Sequence, residues 1–62
     1  ATAATYYERA CNKNKPSACY NLARLYEYGS GVTVDMTQAK TLYKKGCDGG
    51  DRDACAAFAR LP

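Results

Sequence analysis

The chain contains no histidine. That absence removes Ser-His and Cys-His nucleophile pairs and any metal-bound water held by imidazoles. No Cys-x-x-Cys pair is present either, so neither a redox-active couple nor the close ligand pairs of a zinc site are encoded. Both serines fail to open a Ser-x-x-Lys motif, since Ser17 is followed three positions on by Tyr20 and Ser30 by Thr33. No run approaches the roughly 20 apolar residues of a membrane span. No basic-then-apolar leader and no initiator Met open the chain, which reads as a processed or excised stretch. Excess charge is scarce: nine basic against six acidic residues leave +3, and Lys44-Lys45 is the only basic pair. Nucleic-acid binders carry a denser basic stripe, so these charges read as a solvated helix face and nucleic acid is not an expected partner. At 62 residues the chain is short of core as well. A domain of this size buries only about 60% of its unfolded surface and usually needs staples.

Four cysteines supply candidates for those staples. CNKNKPSAC (11–19) and CDGGDRDAC (47–55) each set two cysteines eight positions apart, and each cysteine recurs 36 positions later. At that shift Ala3, Thr5, Tyr7, Cys11, Ala18, Cys19, Ala23, Arg24 and Leu25 match Ala39, Thr41, Tyr43, Cys47, Ala54, Cys55, Ala59, Arg60 and Leu61. Every cysteine falls in register, and 36 residues is the period of a two-helix repeat unit.

Helical spacing runs through the chain. Ala3, Tyr6, Tyr7, Ala10 and Cys11 follow i, i+3, i+4, i+7, i+8, as do Ala39, Leu42, Tyr43, Gly46 and Cys47. Cys19, Leu22, Ala23 and Tyr26 continue the pattern between them, and no segment alternates long enough for a strand. Pro16 suits a first helical turn, with Ser17 a nearby cap. Gly29 and Gly31 can take the positive φ that ends a helix. Asp35 with Gln38 three residues on forms a capping-box pattern, Gly49 and Gly50 break the third helix, and Asp51 can cap the fourth. The pattern predicts helices near 2–13, 16–28, 36–48 and 52–60, an all-α fold of stacked helical hairpins.

Four cysteines allow three pairings. Cys11 closes one helix and Cys19 opens the next, so antiparallel packing sets them level, within the roughly 4.4–6.8 Å between Cα atoms that a disulfide tolerates. The same holds for Cys47 and Cys55. Each bridge closes a nine-residue loop, for a chain-entropy stabilisation of about 2.6 kcal/mol, or about 5 kcal/mol for two. That is comparable to the whole stability of a marginal domain, so the bridges read as structural and no metal or cofactor is expected. Structural disulfides point to an oxidising compartment, secreted or periplasmic.

The stretch ACYNLARLYEYGSGVTVDMTQAKTLYKKGCDGGDRDAC resembles the Sel1-like repeat, a relative of the tetratricopeptide repeat. Ala18, Leu22, Leu25, Tyr26, Gly29, Gly31, Val32, Asp35, Ala39, Tyr43 and Ala54 carry the resemblance, and the cysteine brackets look like the disulfide-rich Helicobacter cysteine-rich protein branch. In that branch a bridge joins the second helix of one repeat to the first helix of the next. The resemblance covers the chain as a half repeat (1–15), a full repeat (16–51) and a half repeat (52–62). Two positions depart from it: Ala23 stands where many such repeats have Gly, and Pro62 where the next Tyr would be. It implies an α-solenoid with a concave face, an adaptor that holds proteins or peptides. Some cysteine-rich members are described as penicillin-binding with weak β-lactamase activity, which gives a second expectation. A third is a small secreted effector or inhibitor, compatible with the disulfides and six tyrosines.

Tyr20, Asn21, Arg24, Glu27 and Tyr28 lie off the core stripe of their helix and are the candidates for partner contact. The resemblance implies that Asn21 faces the concave side, where an amide both donates to and accepts from a peptide backbone. Arg24 suits a carboxylate. The truncated ends expose candidates for self-association: Tyr6 and Tyr7 at one end, Phe58 and Leu61 at the other. Tyr7, Tyr26 and Tyr43 also read as core spacers. Glu8, Glu27, Asp35, Asp48, Asp51 and Asp53 supply carboxylates, but several look like caps or ion-pair partners, and so short a chain has little room for a dry catalytic cleft. No enzymatic activity is expected from the residues themselves.

Overall fold

A computed structural model describes residues 3–61. It consists of four helices: α1 (Ala3–Asn12), α2 (Pro16–Tyr28), α3 (Met36–Asp48) and α4 (Arg52–Arg60). Among the described residues there is no strand, and no helix is long and apolar enough to cross a membrane. The expected helices are all present. Thr2 and Pro62, expected at the start of α1 and as the abrupt end of the repeat, lie outside the described residues.

Local chemistry sets the helix starts. The Asp35 carboxylate accepts from the Gln38 N–H at 3.0 Å, and that of Asp51 from the Ala54 N–H at 2.9 Å. Each satisfies one of the amides that a first turn leaves without a helical partner. Only half of the expected capping box at α3 forms. The Asp35 N–H donates instead to the Tyr26 carbonyl at 3.0 Å, a bond that ties the 29–35 loop back to α2. Ser17 does not cap α2. Proline forces its predecessor to be extended, so Lys15 (φ −105°, ψ 95°) becomes the N-cap and makes no side-chain cap bond, while Ser17 falls inside the first turn.

The two cysteine-bearing loops are the same structure used twice. After α1, Asn14 sits in the left-handed region (φ 63°), its N–H donating to the Cys11 carbonyl and that of Lys15 to the Ala10 carbonyl. After α3, Gly50 has φ 100°, its N–H donates to the Cys47 carbonyl and that of Asp51 to the Gly46 carbonyl. This is the Schellman end of a helix, with asparagine or glycine where the chain must turn left. It reverses the chain tightly enough to bring the cysteines level. Cys11 is bonded to Cys19 and Cys47 to Cys55, with Cα separations of 4.7 and 4.4 Å.

The core consists of Cys11, Ala18, Cys19, Leu22, Ala23, Ala39, Leu42, Tyr43, Ala54 and Ala57. Half of these are alanines, which lets the helices approach closely. α2 is the hub, touching α1, α3 and α4. Gly46 is one such place, where a Cβ would stand 2.9 Å from the Ala54 Cβ and 3.1 Å from the Pro16 carbonyl oxygen. Ala23 is fully buried. Tyr43 is core, as its spacing predicts, while Tyr7 and Tyr26 are partly buried and packed against the core.

Candidate functional site

The repeat leaves one chemically distinctive cluster, in the last turn of α2. Both terminal nitrogens of the Arg60 guanidinium donate to Glu27, Nη1 to Oε2 and Nη2 to Oε1, each at 3.0 Å. The Tyr43 hydroxyl donates to the same Oε1 at 2.6 Å. Three helices therefore meet on one carboxylate: α2 supplies it, α3 the phenol and α4 the guanidinium. The Glu27 side chain is only 8% exposed, against 54% for Arg60. The forked bond from Arg60 holds the Glu27 carboxyl below its ordinary titration range, against the opposing effect of burial. Burial, reinforced by the bond to Glu27, pushes the Tyr43 phenol well above its ordinary value. The Glu27 bond likewise strengthens the hold of Arg60 on its proton. A carboxylate held below its ordinary titration range between two donors ties the three helices together. Glu27, expected among the partner-contact residues, is thus spent inside the fold.

The remaining candidates divide. Asn21, Arg24 and Tyr28 come together on one groove of about 350 Å³, which Tyr7, Leu25 and Ser30 complete. Tyr28 is 65% exposed and Arg24 is exposed, while Asn21 and Tyr7 are half-buried. Tyr20 does not line this groove. Its ring lies 5.7 Å from that of Tyr43, and the Arg24 guanidinium sits 5.8 Å from its centroid. Tyr20 thereby supports Arg24 from behind through a cation–π contact. Tyr7, expected as an end-face residue and core spacer, lines the groove too, and Leu25 and Ser30 do so without having been among the candidates.

Of the end-face residues, Tyr6 is 67% exposed and stands edge-on to Tyr7 at 5.5 Å. Phe58 and Leu61 are half-buried, and the Lys40 ammonium lies 5.6 Å from the Phe58 ring centroid. The carboxylates are largely committed: Asp35 and Asp51 cap helices, and Asp48 pairs with Lys44 at 3.3 Å on an exposed face. Among the described residues no group of three or more Cys, His, Asp or Glu is placed to hold a metal ion.

Comparison with known proteins agrees with this architecture. The Sel1 repeat family model matches residues 1–15 and 16–51. Among curated relatives, cytochrome c oxidase assembly factor 7A of Xenopus laevis is 36% identical over 61 residues, covering 97% of this chain and 26% of the relative. Cytochrome c oxidase assembly factor 7 of Xenopus tropicalis is 35% identical over 57 residues, covering 90% of this chain and 25% of the relative. Protein sel-1 homolog 2 of Homo sapiens is 49% identical over 43 residues, covering 68% of this chain and 6% of the relative. The chain thus spans about a quarter or less of the length of these relatives. No solved structure matches significantly. With two stacked hairpins, a 36-residue register and a family model that spans most of its length, the chain belongs to the Sel1 repeat family.

Proposed function

We propose that this chain is a non-catalytic binding unit, a half repeat, a full repeat and a half repeat, that holds a protein or peptide on the α1–α2 groove in an oxidising compartment. The observation that carries the reading is the groove itself. Asn21, Arg24 and Tyr28 project from one face of a single rigid helix, and two disulfides brace that helix and its neighbours. An amide, a guanidinium and a phenol together provide donors, an acceptor, a charge and a flat apolar surface. That is the repertoire of a recognition surface. Two relatives are named for assembling another protein, cytochrome c oxidase, which agrees with a unit that works by holding polypeptide. The paired cysteines support the compartment, secreted or periplasmic, because bridges of this kind persist where thiols are not kept reduced.

Panning a displayed peptide library on the oxidised chain tests the binding reading. Enriched peptides should shift the amide resonances of Asn21, Arg24 and Tyr28, and N21A and Y28A should each weaken binding several-fold. Failure to enrich any peptide, or peptides indifferent to both substitutions, would contradict it. Alkylation of free thiols in intact source cells tests the compartment: the account expects no labelling of the four cysteines.

A further inference from the structure

The two cysteine-bearing loops share a backbone and carry opposite charge. Between its cysteines the first holds Lys13 and Lys15 and no acid, while the second holds Asp48, Asp51 and Asp53 against Arg52. Local stability favours the second arrangement. Asp51 caps α4 and Asp53 sits in its first turn, where carboxylates suit the positive end of a helix. At the equivalent place before α2 stands Lys15, with no side-chain cap bond and no acid in the first turn. Its ammonium forms no ion pair among the described residues. A cation kept where a carboxylate would stabilise the helix, with no compensating contact, marks a residue whose role lies outside the helix it starts.

Behind that loop, in the seam between the two hairpins, lies a cleft of about 190 Å³. Cys11, Cys19 and Pro16 give it an apolar lining, Asn14 an amide and Lys45 its only charge. Gly49 completes it, and a Cβ there would stand 2.6 Å from the Pro16 ring, so the two loops lie side by side. Lys13, Lys15 and Lys45 are all exposed, and none forms an ion pair among the described residues. Three free cations therefore surround a small recess that contains a hydrogen-bonding amide and no carboxylate.

We propose that this loop and cleft bind an acidic segment of a partner polypeptide, with one carboxylate entering the cleft toward Lys45 and Asn14 and its neighbours meeting Lys13 and Lys15. The surface lies at the start of α2, the opposite end from Tyr28 and Ser30, so it is separate from the groove assigned above. The charge pattern suits a narrow ligand. A flat anionic bilayer or a nucleic-acid backbone laid across this end would meet the acidic second loop beside the cationic first one, because the two adjoin at Pro16 and Gly49. A second copy of the chain is a poor source of the segment. Its Asp48 is paired with Lys44 and its Asp51 caps α4, which leaves Asp53 as the one uncommitted carboxylate of that loop. Exposed charges of this kind orient a partner and are screened by salt, so binding should fade as ionic strength rises.

The probe is an acetylated, amidated peptide of alternating glutamate and serine, titrated at low salt into the oxidised, isotope-labelled full chain. The account expects resonance shifts at Asn14, Lys15, Lys45 and Gly49, and at least about tenfold weaker binding by the matching glutamine peptide. K45Q should weaken the glutamate peptide about threefold and K15D about tenfold. K15D should also melt higher than the parent, so its loss of binding is not a loss of fold. K44Q removes an equal charge from the neighbouring residue, which does not line the cleft, and should bind within about twofold of the parent. No binding, equal binding of the two peptides, or a K15D chain that binds as the parent does would overturn the site. So would preferential binding to phosphatidylserine vesicles, or shifts at these residues that grow with chain concentration alone, which would assign the surface to a membrane or to a second copy. The library experiment on the groove is independent of each of these outcomes.

Discussion

Removing the Glu27 side chain is the sharpest perturbation of the fold. In E27A the Tyr43 hydroxyl loses its acceptor, although Tyr43 as a residue is only 1% exposed. A buried polar group left without a partner costs about 1–3 kcal/mol. The Arg60 pair adds less, because that guanidinium is 54% exposed and water screens it. The orphaned phenol therefore sets the scale, about 1–3 kcal/mol. For a domain of this size each kcal/mol moves Tm by about 4–8 °C, so E27A should melt roughly 4–24 °C lower. Y43F removes the hydroxyl and the need for an acceptor, and should cost about 1 kcal/mol. The double variant E27A/Y43F should therefore be more stable than the sum of the single losses by about 1 kcal/mol or more, because no orphaned donor remains. Thermal and urea unfolding of the disulfide-intact chain, followed by circular dichroism, supplies all four corners of this cycle. Additivity within about 0.5 kcal/mol, or an E27A chain as stable as the parent, would refute the claim that this carboxylate ties three helices together.

Three further outcomes follow from the same geometry. G46A should destabilise by about 1–3 kcal/mol in urea unfolding despite alanine's better helix propensity, since its Cβ would press on Ala54 and the Pro16 carbonyl; an unchanged midpoint would contradict the close approach. K15D should raise stability by about 1 kcal/mol, because the equivalent Asp51 shows the cap bond that Lys15 lacks, and an unchanged or lower Tm would count against it. Acid should remove the contribution of Glu27. Its folded-state titration lies below the free carboxylate value of about 4.3, so the unfolded chain binds the proton first. The stabilisation is complete above that pH and is lost as pH falls through the folded value. The parent should therefore lose more stability than E27Q between pH 5 and the acid limit, and parallel profiles for the two would exclude this origin.

The helices and bridges were legible in the sequence because their causes are local. Pro16, Asp35, Asp51 and the eight-residue cysteine brackets act over less than three turns, and their consequences can be read one segment at a time. The loop after α1 was less so: Asn14 takes a left-handed conformation that glycine advertises at Gly50 but asparagine does not. Ser17 looked like a cap until the constraint of Pro16 on Lys15 is applied. The Glu27 tie was hidden for a different reason. Its partners lie 16 and 33 residues away, on helices whose relative placement no local pattern fixes. Off the core stripe, Glu27 looked solvent-facing, yet α4 closes over it. The repeat did hold a trace of this, since Arg24 and Arg60 are the only charged pair that survives the 36-residue shift unchanged. Together with Tyr43, which is also repeated in register as Tyr7, Arg60 marks the contact that Glu27 makes with the next two helices.

The central claim is that two equivalent helical hairpins, each closed by its own bridge, build this chain. Tryptic peptide mapping without reduction tests it most directly, because cleavage after Lys13 and after Arg52 cuts inside each bracket and leaves the bridge as the only link between fragments. The account predicts one linked species joining Cys11 to Cys19 and another joining Cys47 to Cys55, both dissolving on reduction. A Cys11–Cys47 species, or four free thiols in a chain that still folds, would contradict it.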